Sequence, residues 1–163
     1  MKRMQVNSSL TLLCTITAAV VTLTACYPAI TTDMIRIMAR TAVGRIKKIK
    51  DEHFQMSPEI DFGPNTDTPI EGLTSVLTHL DYLQTRLQVP PATHLRQLQT
   101  DLETLLGNLE RMAVSQGCPL PKPGSNVHKD DTAFPITSNY LYLLELQRYL
   151  EKLCLNLDKL KTC

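Results

Sequence analysis

Apolar residues recur at steps of three and four in four separate stretches of the chain, the period of an amphipathic helix. Ile35, Met38, Ala42, Ile46 and Ile49 form the first stripe. Asp33 stands where an N-cap would, and Arg45, Lys47, Lys48 and Lys50 load the far end, where cations suit the helix dipole. Ile70, Leu73, Leu77, Leu80, Leu83 and Leu87 form the second stripe. It opens with TPIE, in which Thr68 can cap, Pro69 suits the first helical position and Glu71 completes a capping box. Leu95, Leu98, Leu102, Leu105, Leu109 and Met112 form the third, with Gly117 placed to terminate it. Leu143, Leu146, Leu150, Leu153, Leu157 and Leu160 form the fourth, with Thr137 or Ser138 as its cap. No segment alternates apolar and polar residues for long enough to make a strand, so the pattern predicts an all-α chain.

The connections decide how the helices are joined. About 17 residues, HFQMSPEIDFGPNTDTP, separate the first two helices, and about 20, GCPLPKPGSNVHKDDTAFPI, separate the last two. Both are rich in proline and glycine, so neither hides another helix. Only VPPA or so lies between the second and third. A helix of some 18 residues is ~27 Å long, and a three-residue link spans at most ~10 Å. The short link therefore joins antiparallel neighbours, while the long links can run the length of a bundle. Long, short, long implies an up-up-down-down four-helix bundle with two crossover loops, as in long-chain helical cytokines. Up-down-up-down is the alternative that long loops permit without requiring.

The N-terminus changes the compartment. Lys2 and Arg3 precede an uncharged, mostly apolar run from Leu10 to Ala25, with small residues near its end. That is the form of a secretory signal peptide over residues 1–26, cleaved after Ala25 or Cys26. Its apolar core of roughly 16 residues is short for a membrane span of ~20. LTAC, Leu23 to Cys26, also has the form of a bacterial lipobox, with Cys26 as the lipidated residue. Residues 27–163 then make one domain, large enough for a real core. Loss of the leader takes two cations and no acid, turning a formal +1 into −1. Near-neutrality gives no electrostatic case for nucleic acid or for an anionic membrane.

Secretion permits disulfides. The mature chain keeps Cys118, Cys154 and Cys163, plus Cys26 if cleavage falls after Ala25. An odd count leaves one thiol over. In the up-up-down-down arrangement the third and fourth helices are parallel, so Cys118 and Cys163 come out at one end of the bundle. Their bridge would close a loop of about 45 residues. Cys154, a turn from Leu150, reads as a thiol at the border of the core.

Candidate chemistry is sparse. His53, His79, His94 and His128 are scattered and make no metal-binding spacing. A zinc site from the cysteines and a histidine is a weaker reading than a disulfide in a secreted chain. There is no G-x-S-x-G and no glycine-rich phosphate loop, so neither enzyme, cofactor nor metal is expected. VGRIKKIK reads as a solvated basic face before it reads as a heparin or nucleic-acid patch. Asn7 heads the only sequon and lies in the leader. What remains is a small secreted bundle that works by presenting helix faces to a partner, an inference of class only.

Specific segments go further. DLETLLGNLERMAVSQGCPLP (Asp101 to Pro121) resembles the third helix and following cysteine of leptins, long-chain helical cytokine hormones. RTAVGRIKKI (Arg40 to Ile49) is similar to their first helix, PEIDFGP (Pro58 to Pro64) to their first long loop, and the last helix also closes on a terminal cysteine. The divergence suggests a distant vertebrate, a fish. The resemblance implies a monomeric circulating hormone of energy balance and food intake. Its partner would be the leptin receptor, a class I cytokine receptor signalling through Janus kinases and STAT proteins. It also implies a Cys118–Cys163 disulfide. By alignment, a receptor-binding surface would fall on Ile37, Met38, Arg40, Thr41, Arg45, Gln97, Thr104, Gly107 and Asn108. A receptor-activating surface would fall on Ile60, Asp61, Phe62, Thr137 and Ser138. Gly107 and Asn108 depart from the charged and apolar residues of the family pattern, and Gly63 replaces a bulkier residue. Plainer readings stand beside these: Met38 lies on the core stripe, Thr137 and Ser138 are good N-caps, and Phe62 either tucks under the bundle or meets a partner. Another long-chain cytokine of interleukin-6 type is the alternative, although a 118–163 bridge argues against it. A lipidated bacterial helical protein is the third reading.

Overall fold

The computed structural model describes residues 29–54, 68–87, 93–121 and 135–163, with residues 135–138 described by backbone alone. Four helices make up the bundle: α1 (Thr32–His53), α2 (Leu73–Leu87), α3 (Arg96–Gln116) and α4 (Pro135–Leu155). Short 3-10 turns precede α3 at Thr93–Leu95 and follow α4 at Leu157–Lys161. Among the described residues all regular structure is helical.

Contacts between helices set their directions. Lys50 meets Gln147 and Arg36 meets Cys154, so α1 and α4 run antiparallel. Arg45 meets Asp101 and Met38 meets Asn108, so α1 and α3 do as well. Gln99 reaches the Leu87 carbonyl and Thr74 that of Pro119, which makes α2 antiparallel to α3. Arg86 with Glu145, and His79 with Tyr149, make α2 antiparallel to α4. The result is up-up-down-down, with α1 between α3 and α4 and α2 diagonally opposite. The leucine stripes meet in a single core, in which Leu77, Leu98, Leu105, Leu146, Leu150 and Leu153 are all buried. Each such side chain contributes about 1.5–3 kcal/mol through burial.

Several local expectations are corrected. Thr31, not Asp33, caps α1, accepting from the Met34 amide at 3.3 Å. Met38 lies at the margin of the core. Ala39 and Val43 are buried instead, and the small side chains at 39 and 42 let α1 approach its neighbours closely. The second helix begins at Leu73, not at the TPIE sequence, although Ile70 is buried. Its first free amides are taken by main-chain carbonyls from the far end of the chain: Leu73 N donates to Thr162 O at 2.8 Å and Thr74 N to Cys163 O at 3.1 Å. This satisfies donors that a capping box would otherwise serve. Gly72 makes the approach feasible, since a Cβ there would lie 2.5 Å from the Cys163 carbonyl carbon and 2.7 Å from its oxygen. The fourth helix stops at Leu155. Leu157 and Leu160 still reach the core because the 3-10 turn superposes residues three apart. Thr137 and Ser138 fall inside the first turn of α4 and are not its cap.

The cysteines follow the up-up-down-down topology. Gly117, at φ 74°, adopts the left-handed conformation that ends α3, and Cys118 N donates to Ala113 O at 2.9 Å. The turn delivers Cys118 to Cys163, to which it is disulfide-bonded with Cα atoms 5.3 Å apart. Cys154 is a free, half-buried thiol. Burial pushes its pKa up, against the opposing pull of Arg40 and Arg36.

Candidate functional site

The nine residues aligned with a binding surface come from two helices, one ending at His53 and the other starting at Arg96. On α1, steps of four place Ile37, Thr41 and Arg45 along one side. On α3, Gln97, Thr104 and Asn108 recur with the same spacing. The α1–α3 seam joins the two rows. Arg45 Nε donates to Asp101 Oδ2 at 2.5 Å, and Gln97 Nε2 donates to the other oxygen of that carboxylate at 3.1 Å. Asn108 Nδ2 donates to the Thr104 carbonyl at 2.8 Å and lies 3.4 Å from Met38 Sδ.

These residues differ in what they offer a partner. Ile37 is 66 % exposed. Thr41, Gln97 and Thr104 are exposed as well. The Thr41 and Thr104 hydroxyls donate back to the carbonyls four residues earlier, at 2.9 and 2.8 Å. Asn108 is only 2 % exposed, and its Oδ1 accepts from Arg111 Nη2 at 2.8 Å. It supports the seam from beneath. Met38 is half-buried beside it. Gly107 lies at the surface of α3, where an added Cβ would meet nothing within 4 Å. No packing inside the bundle requires a glycine there, although it costs about 0.5–1 kcal/mol relative to alanine in a helix. Arg40 is exposed on the other shoulder of α1, where its charge acts on Cys154 across the α1–α4 seam. The structure thus gathers eight of the nine residues about one seam and sets Arg40 apart.

Two residues of this surface were missed from sequence. Asp101 neutralises Arg45 and holds Gln97, and Arg111 bonds both Asn108 and the Gly107 carbonyl. Asp101 stands four residues after Gln97 and Arg111 three after Asn108, a spacing that places each beside a residue already singled out. Met34, 41 % exposed, extends the α1 row by one turn.

Of the residues aligned with an activating surface, Ile60, Asp61 and Phe62 lie outside the described residues, as do Gly63, Cys26, His128 and the whole leader. The backbone of Thr137 and Ser138 lies at the start of α4. That end of the bundle carries a cluster of rings. His53, at the close of α1, stacks on His94 with centroids 4.4 Å apart. Phe54 packs at 5.3 Å from the Tyr140 ring on α4. Burial, and then the neighbouring His53, lower the pKa of His94.

The remaining seam, between α2 and α4, is aromatic. The Arg86 guanidinium lies 3.9 Å from the Tyr142 ring centroid and 5.1 Å from that of Tyr82, with Glu145 at 3.9 Å. Among the described residues, no group of three or more His, Cys, Asp or Glu side chains could hold a metal ion. No described helix is long and apolar enough to cross a membrane.

A family model described as Leptin matches residues 28–163. Leptin-B of Oryzias latipes is 35 % identical over 127 residues, covering 77 % of this chain and 77 % of that protein.

Proposed function

The chain belongs to the leptin family, a family of hormones and not of enzymes, and on that premise we propose that it is a secreted ligand of the leptin receptor. Residues 1–26 are removed as a signal peptide, and residues 27–163 act as a monomer. The hormone brings class I receptor chains together, signals through Janus kinases and STAT proteins, and regulates energy balance and food intake. No bond is made or broken. Helix faces and a loop fill complementary receptor surfaces.

The observation that carries this reading is the α1–α3 seam. Ile37, Thr41, Gln97 and Thr104 stand exposed around an Arg45–Asp101 pair, with Met38 and Asn108 beneath. Exposed apolar and arginine side chains over a rigid, hydrogen-bonded base suit an interface centre. The bare patch at Gly107 lets a partner approach the α3 backbone closely. The activating surface is assigned to Ile60, Asp61, Phe62, Thr137 and Ser138.

Two variants test the pair of surfaces in one experiment. Gly107→Arg adds a long side chain at the seam from a position where its Cβ meets nothing within 4 Å. It should leave the fold intact, with stability raised by about 0.5–1 kcal/mol, and weaken receptor binding about tenfold or more. Asp61→Ala with Phe62→Ala should leave binding mostly intact and reduce STAT phosphorylation in receptor-bearing cells. Undiminished binding by Gly107→Arg would remove the α1–α3 seam from the interface. Equal loss of binding and signalling in the double variant would move the loop into the binding surface.

A further inference from the structure

The ring cluster at the α4 N-terminal end joins three elements through two histidines. His53 closes α1, His94 sits in the 3-10 turn that opens α3, and their rings stack at 4.4 Å with planes 28° apart. Phe54 touches His94 edge-on at 6.5 Å and Tyr140 at 5.3 Å, which extends the contact to α4. Among the described residues, neither imidazole is paired with a carboxylate, and Asp51, two residues before His53, is exposed. Lys50 on α1 lies 6.0 Å from the Tyr140 ring and donates to Gln147. Arg96 follows His94 by two residues, and Glu52, beside His53 in sequence, is paired with Lys48 at 3.8 Å. Among these described neighbours, the stack holds together while the imidazoles are neutral, and a second proton would set two like charges against each other.

We propose that the His53–His94 stack is an acid-sensitive latch, closed at neutral pH and opened by protonation, which loosens the end of the bundle carrying the start of α4 and so releases the hormone from its receptor in acidified compartments. The link to release rests on the assignment of an activating surface to that end; the latch itself does not. The direction of the His94 shift agrees. A histidine whose folded pKa is lowered adds stability above its unfolded pKa and loses it as pH falls through the folded value. His79, buried against Tyr149 at 4.3 Å, is lowered by burial in the same sense and must be separated from the latch.

The test is amide exchange of the secreted chain at pH 7.4 and 5.5, corrected for intrinsic rates. Residues 50–54 and 93–97 should lose protection severalfold in the wild type on acidification. His53→Gln with His94→Gln should show no such loss. An equal loss in the double variant would place the response at His79 and overturn the latch, as would no loss in either. NMR titration supplies a second reading in the near-native single variant: His53→Gln should raise the His94 pKa, and an unmoved value would overturn the coupling. Dissociation from the receptor ectodomain should quicken severalfold at pH 5.5 for the wild type alone. Equal quickening in the double variant would sever the latch from release. A faulty surface assignment would show differently, as full signalling by the Asp61→Ala, Phe62→Ala variant beside an intact exchange response.

Discussion

At one end of the bundle, the start of α2, the end of α3 and the last residues of the chain are tied by a disulfide and main-chain hydrogen bonds. At the other, the end of α1 and the starts of α3 and α4 meet through rings. In the first, Thr162 and Cys163 accept from Leu73 and Thr74, Thr74 Oγ1 donates to Pro119 O at 3.0 Å, and Gln116 Nε2 donates to Leu160 O at 3.1 Å. None of those groups titrates between pH 5 and 8. In the second, His53, His94, Phe54 and Tyr140 pack side chain against side chain, and two of the four are imidazoles. One end is held by backbone and covalent bonds and the other by contacts that conditions can alter.

The covalent tie is the first thing to break. Cys118→Ser or Cys163→Ser opens a loop of 45 residues and should cost about 2–4 kcal/mol, read as a lower melting temperature and poorer secretion. Unchanged melting would show that the backbone bonds suffice alone. Gly72→Ala tests those bonds with the disulfide intact. Its Cβ would press on the Cys163 main chain, and the expected loss is about 1–3 kcal/mol, with faster exchange at the Leu73 and Thr74 amides. Normal protection there would mean that the helix start finds another cap. At the opposite pole, Phe54→Leu removes a ring from the cluster and should cost only about 0.5–1.5 kcal/mol. A loss as large as that of the cysteine variants would erase the distinction between the two ends.

Leucine spacing and loop length made the bundle legible from sequence because burial acts on a periodic face, and periodicity survives in a linear string. The antiparallel step from the second helix to the third followed from how far a short link can reach, while the long links left up-down-up-down open until the contacts between helices decided it. Caps were less legible. Thr68 and Glu71 have the local form of a capping box, yet the α2 amides bond to carbonyls at 162 and 163, a contact that no local window contains. The α1–α3 surface was partly legible: the alignment named Arg45 and Gln97, but Asp101, which holds both, emerges only when the two helices lie side by side. Asn108 shows the converse. Its position marks it as a contact, and its burial makes it a support.

The cap on α2 also orders events during synthesis. Leu73 and Thr74 leave the ribosome about ninety residues ahead of the carbonyls that complete their first turn, a lag of roughly 5–20 s at ordinary elongation rates. Until Thr162 and Cys163 arrive, the second helix has an open start and Cys118 lacks its partner. A prematurely terminated chain therefore retains an exposed thiol and an uncapped helix together. Both features set such a chain apart from one that carries the carbonyls at 162 and 163.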